Sequence, residues 1–181
     1  RTEKFKSPII LIASIDILKL QMKKFRFNRK IKLLTLPELK KTKLNNRSIN
    51  LISIKYTQNR PFKKLSSKSN TYINKSFDLA LKIIKKKITN KFINGPISKK
   101  FFLKNKFLGI TEYLAHKTKT KKYAMLIYNK NLSVSPITTH LPLKHVSKNI
   151  SKNLILEKVK LINSFFKENL KKKPNIPITG L

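Results

Sequence analysis

Short continuous apolar runs alternate with longer stretches whose apolar residues recur three and four apart, and the two spacings predict different elements. "PIILIAS" (8–14) reads as a buried strand, and Asp16 is placed to cap the helix "ILKLQMKKF" behind it. "KIKLLTL" (30–36) and "SINLISI" (48–54) predict two further strands, and "YTQNRPFKKLSSKSN" (56–70) a polar loop interrupted by Pro61. From Thr71 to Lys87, Ile73, Phe77, Leu79, Ala80, Ile83 and Ile84 fall at helical spacing, with lysines on the opposite face. "KFINGP" (91–96) then predicts a strand ending in a Gly-Pro turn. "KYAMLIY" (122–128) and "LSVSPITT" (132–139), parted by "NKN", predict an antiparallel hairpin. Ser151 can cap a long helix reaching about Leu170, with Ile155, Val159, Ile162, Phe165 and Phe166 inward, and "IPITGL" (176–181) begins another strand. Strand–helix alternation of this kind indicates α/β layers, with the hairpin as a mixed element.

A chain of 181 residues can build one domain or two small lobes. The pattern suggests a first α/β lobe over 1–103 and part of a second over 104–181. Forty per cent hydrophobic residues argue against a disordered chain. The formal charge of +36 suggests a polyanion partner, but its makeup tempers that. Only Arg1, Arg26, Arg29, Arg47 and Arg60 are arginines, whereas bidentate recognition of bases and phosphates favours Arg. The lysines are scattered along with Asn and Ile, all residues of A/T-rich codons, so nucleotide bias explains them better than specific nucleic-acid binding. Cysteine is absent, which excludes disulfides, thiolate metal sites and cysteine nucleophiles and suits a reducing cytoplasm. "RTEKFKSPIILIAS" mimics a signal peptide, but the apolar run is short and Asp16 closes it; no stretch has the length of a membrane span.

Chemistry in an α/β fold belongs at strand ends, and three places qualify. "NGPISKK" (94–100) leads from a Gly-Pro turn into a helix containing Lys99. In "FLGITEY" (107–113), Gly109 precedes Thr111 and Glu112 at a helix start, where Thr111 is either the helix cap or a substrate contact. In "PITTHLPLKH" (136–145), His140 ends an apolar run, either as a surface histidine or as a metal ligand. His116 and His145 lie among lysines on predicted helical surfaces and receive no role.

Taken in order, "INGPISKK", "FLGITEYLA" and "AMLIYNKNLSVSPITTHLPLKHVSKNIS" resemble the 4-hydroxythreonine-4-phosphate dehydrogenase family of vitamin B6 biosynthesis. That family's pattern runs Thr-Gly-Pro-x-x-Lys, Gly-His-Thr-Glu, and a strand pair leading to Thr-Thr-His-x-Pro-Leu. The resemblance covers nearly the whole chain, most clearly from Phe92 onward. It implies a layered α/β/α fold with a mixed sheet, like that of isocitrate and isopropylmalate dehydrogenases. The family's glycine-rich segment before 8–14 and its Asn-Pro-His motif after 176–181 are not in the sequence, so an internal fragment is expected.

By resemblance, the reaction is NAD-dependent oxidation and decarboxylation of 4-phosphooxy-threonine to 3-amino-2-oxopropyl phosphate, helped by a divalent metal such as zinc, magnesium or cobalt. His140 matches one of three imidazole metal ligands, with Thr138 or Thr139 supporting its ring, and Thr111 matches a substrate-contacting threonine. Lys99 and Glu112 are expected as active-site support. The family site lies at a homodimer interface, and its cofactor contacts fall mostly beyond Leu181, so no NAD residue is assigned. Two positions depart from the pattern. Ile110 stands in place of the motif histidine, and Asn94 replaces the threonine before Gly95-Pro96. Ile110 can neither hydrogen-bond nor move a proton, which opens a related sugar-acid phosphate as the substrate. A lysine-rich RNA-associated protein is the alternative from another class. It predicts aromatics exposed among lysines, whereas Phe77, Phe165 and Phe166 are expected on inward faces.

Overall fold

The computed structural model describes residues 5–64, 66–104 and 106–179. It divides into two compact units, residues 1–105 and 106–181.

The first unit is built on three parallel strands in the order β1-β3-β2: β1 (Ile10–Ala13), β2 (Ile31–Leu33) and β3 (Ile49–Ser53). β3 lies in the middle, pairing Leu51 with Leu11 on one side and with Leu33 on the other. A central parallel strand is covered on both faces, which is why its sequence is a nearly unbroken apolar run. Leu51 is fully buried, while Ile52 packs with Leu34, Leu39 and Ile83 in a cluster that Ile10, Ile12 and Leu79 extend. Asn50 is the polar exception in β3. Its amide nitrogen donates to the carbonyls of Ile9 (3.0 Å) and Asn45 (2.8 Å), which offsets part of the cost of burial, while its Oδ1 has no hydrogen-bond partner among the described residues.

Helix α1 (Ile15–Lys24) follows β1 directly. Ser14, not Asp16, is its N-cap: the hydroxyl accepts from the Ile17 amide and donates to the Tyr56 carbonyl at 2.5 Å. The tight strand-to-helix junction puts the cap two residues earlier than the apolar spacing suggested, and Asp16 sits in the first turn. The short α2 (Glu38–Lys41) is preceded by Thr35, whose amide and hydroxyl both donate to the Glu38 carboxylate. That hydroxyl bond, then the amide bond, hold the Glu38 carboxyl below its ordinary value. Helix α3 (Asn70–Lys85) buries Phe77, Ala80 and Ile83 at the predicted spacing. Phe77 meets the rings of Phe92 and Phe102 at 5.7 and 5.8 Å. The strand expected over 91–96 is absent, and this segment runs without a strand partner to a π-helical turn over Lys99–Leu103. Phe92, half-buried, packs against an aromatic ring instead of in a sheet.

The second unit contains α4 (Ile110–Thr118), the single turn α5 (Leu143–Val146) and α6 (Lys152–Phe165), which continues as a π-helical turn over Phe166–Leu170. Ser151 caps α6 as expected, accepting from the Leu154 amide. Ile162 is buried, but Phe165 is 42% exposed, so it does not point inward. The hairpin expected over 122–139 is reduced to one antiparallel bridge between Ile127 and Val134, closed by two backbone hydrogen bonds of 2.8 and 3.0 Å. Asn129 and Ser133 hydrogen-bond across the intervening loop in place of a ladder. Residues 176–179 form no strand, and the remainder of that expected strand lies outside the described residues. No described helix is long and apolar enough to cross a membrane.

Candidate active site

Helix α4 starts from Gly109, which is buried and carries no capping side chain. The residue is extended, so its backbone does not require glycine; the space around it does. A Cβ built there would lie 2.8 Å from Glu112 Oε2 and 3.4 Å from His140 Nε2. The missing side chain therefore lets a carboxylate and an imidazole close on the start of the helix. Glu112 lies in the first turn, where the helix dipole favours a negative charge. Its Oε1 accepts a long bond from the Thr139 hydroxyl (3.5 Å). Its Oε2 is removed from solvent and has no hydrogen-bond partner among the described residues. A buried acceptor left open costs about 1–3 kcal/mol and commonly marks a place where a ligand completes the bonding.

His140 reaches this point from a loop. No strand ends there, because the hairpin is too short, and the residue adopts a left-handed backbone with φ 58°. For a non-glycine residue this conformation costs about 1–2 kcal/mol and clusters at functional sites. The residue is exposed, with Nε2 3.4 Å from where a Cβ on Gly109 would stand, and the Thr139 hydroxyl bonds to Glu112 rather than to the imidazole. Thr111 is the second residue of α4, exposed, and does not cap it; the cap position is Gly109.

These side chains share a cavity of about 210 Å³, lined by Thr111, Glu112, Tyr123, Met125, His140 and Lys158 among others. Thr111, Glu112 and His140 are thus brought together within the second unit. Lys99 is not among the lining residues; it is exposed on the π-helical turn of the first unit. Ile110 is the first residue of α4 and half-buried. His116 and His145 are exposed, as expected, and His116 lies against the Phe107 ring. Among the described residues, no three His, Asp or Glu side chains are grouped to hold a metal ion. His140 with the open Glu112 oxygen is a fitting but partial donor set.

Sequence reasoning marked Gly109 without giving it a role and missed Tyr123 and Lys158. Lys158 did leave a signal: it falls four residues after Leu154 and four before Ile162, on the stripe that α6 turns inward.

Residues 4–181 match the sequence profile of the pyridoxal phosphate biosynthetic protein PdxA. The chain belongs to this family. It is 44% identical over 105 residues to the 4-hydroxythreonine-4-phosphate dehydrogenase of Sulfurihydrogenibium sp. (strain YO3AOP1), a match covering 56% of this chain and 33% of the relative. The enzyme of the same name from Neisseria meningitidis serogroup A (strain Z2491) is 32% identical over 124 residues, 65% of this chain and 38% of the relative. The crystal structure of the 4-hydroxythreonine-4-phosphate dehydrogenase from Klebsiella pneumoniae superposes on 89% of this chain with a TM-score of 0.75 at 20% identity. The one from Burkholderia phymatum covers 90% with the same score at 19% identity. Both likenesses are of fold, the α/β architecture of isocitrate and isopropylmalate dehydrogenases. The chain spans 50% of the length of either structure.

Proposed function

We propose that this chain serves the NAD-dependent, metal-dependent oxidation and decarboxylation of 4-phosphooxy-threonine to 3-amino-2-oxopropyl phosphate in vitamin B6 biosynthesis. The observation that carries the reading is the convergence of Thr111, Glu112 and His140 on one cavity in a chain of the PdxA family. Thr111 contributes its hydroxyl to the substrate. His140 contributes one imidazole to a divalent ion, zinc, magnesium or cobalt, with Glu112 beside it. When bound, such an ion lowers the pKa of the hydroxyl being oxidised and balances the charge left by decarboxylation. The chain's own residues orient these groups: Gly109 keeps the approach clear, and the loop holds the His140 ring over α4. Lys99 is retained as active-site support. The working form is a cytoplasmic homodimer with the site at its interface, and NAD is held by residues that this chain does not identify. Ile110 favours a second reading, a sugar-acid phosphate as substrate, because an aliphatic side chain supplies no hydrogen bond at the helix start.

NADH formation, followed in the complete reading frame with each substrate and with or without a chelator, tests this reading. Chelator-sensitive turnover of 4-phosphooxy-threonine is expected. Preference for a sugar-acid phosphate would move the assignment to the second reading, and turnover of neither would contradict both. The 181 residues alone, with one imidazole ligand, are expected to form no NADH.

A further inference from the structure

Lys158 occupies a place where an apolar residue is expected. It projects from the inward stripe of α6, half-buried, between Leu154, which lines the cavity, and the buried Ile162. Removing an ammonium from water is unfavourable unless a partner compensates. Its neighbour Glu157 is spent on Lys122 (3.9 Å), and no described carboxylate pairs with Lys158. What holds it is Tyr123: the ammonium donates to the Tyr123 carbonyl and lies 5.1 Å from the centre of the Tyr123 ring. An ammonium has three N–H donors, and the carbonyl takes one.

The same cavity carries Glu112, so a cation and a carboxylate line a single space. An anionic group entering it is repelled from Glu112 and drawn to Lys158. A phosphate monoester carries close to two negative charges at neutral pH and gains more from a point-like ammonium than a carboxylate does. From this geometry we infer that Lys158, braced by Tyr123, is the anion-holding group of the cavity and takes the phosphate of the ligand. This rests on the function proposed above for the choice of ligand, though not for the cavity or its charge.

The chain has two methionines, and they give the test its own control. Met125 lines the cavity, whereas Met22 lies on α1 beside Lys19, Lys23 and Arg26, a basic surface that attracts phosphate non-specifically. Methyl-labelled methionine NMR of the 181-residue chain, titrated at constant ionic strength, would compare O-phospho-L-threonine, inorganic phosphate and L-threonine. Saturable Met125 shifts are expected with the two phosphates and not with threonine. Lys158→Gln should weaken both by about tenfold or more, while Lys158→Arg keeps them within about threefold of the unchanged chain. Far-UV circular dichroism and thermal melting of the unliganded variants, unchanged from the parent chain, show that the fold is intact. Unchanged affinity in Lys158→Gln, no saturable Met125 shift at all, or Met125 moving only in step with Met22 would each overturn the assignment. Thr111→Val separates the two ideas. If Lys158→Gln weakens both phosphates while Thr111→Val changes neither, Lys158 stands as the anion group and the substrate reading of Thr111 falls.

Discussion

Residues 1–105 bury Leu51 completely at the centre of a parallel sheet, whereas residues 106–181 leave Ile127, Leu132 and Val134 each more than half exposed around a single bridge. The first unit places its apolar residues on strands that need each other and ties buried donors to backbone carbonyls, the Asn50 amide to two and the Ser14 hydroxyl to that of Tyr56, while Asn50 Oδ1 and Asn70 Oδ1 have no hydrogen-bond partner among the described residues. The second unit has less regular structure but gathers polar side chains of four kinds. A hydroxyl, a carboxylate, an imidazole and an ammonium share one cavity there, reached from two helices and a loop. The regular sheet and the shared polar cavity thus belong to different units, each built from a different kind of segment.

Four substitutions test that contrast. The largest expected effect comes from Leu51→Ala, which empties a fully buried site in the middle strand and should cost about 2–5 kcal/mol. In denaturant titrations the Met22 resonance of α1 should report an earlier unfolding midpoint. Ser14→Ala removes both the cap of α1 and the tie to Tyr56, and should cost about 1–2 kcal/mol by the same readout. Gly109→Ala should cost less than about 1 kcal/mol, because the nearest atom it meets is the end of a flexible glutamate. Its effect should appear in the cavity instead, as a shifted Met125 resonance and reduced turnover in the complete enzyme. A fall in stability as large as that of Leu51→Ala would show that Gly109 belongs to the framework.

The smallest effect is a pH dependence of the first unit. Burial holds the Tyr72 phenol above its ordinary value of 10.0, against the opposing hydrogen bond from the Ser14 amide. A folded pKa raised in this way gives stability that is complete below the unfolded value and lost as pH rises through the folded one. Unfolding free energy should therefore decline above pH ~10, and Tyr72→Phe should flatten the decline.

The same division explains what the sequence disclosed. Strands β1 to β3 and helices α3 and α6 were legible because continuous runs and helical spacing report burial directly. The strand over 91–96 and the hairpin over 122–139 were not, since an apolar run does not reveal whether a neighbouring strand exists to pair with it. Phe92 is half-buried with its ring against Phe77, and Ile127 stays at the surface. At the site, motif order singled out Thr111, Glu112 and His140, but the reasons for their meeting were invisible. The clearance over Gly109 and the left-handed turn at His140 are three-dimensional facts. The Ser14 cap was hidden by the more familiar Asp16 two residues on.

On the function proposed above, the cavity of the second unit is where the chemistry occurs, and His140 acts there as a ligand rather than as a structural group. Melting temperature and metal-dependent turnover of His140→Ala, measured on the same samples of the complete enzyme, test it directly. An exposed loop imidazole contributes little to packing, so the account predicts a melting temperature within about 2 °C of the unchanged protein. Turnover should fall by about a hundredfold or more. Turnover retained in the folded fraction, with a clearly lowered melting temperature, would contradict it.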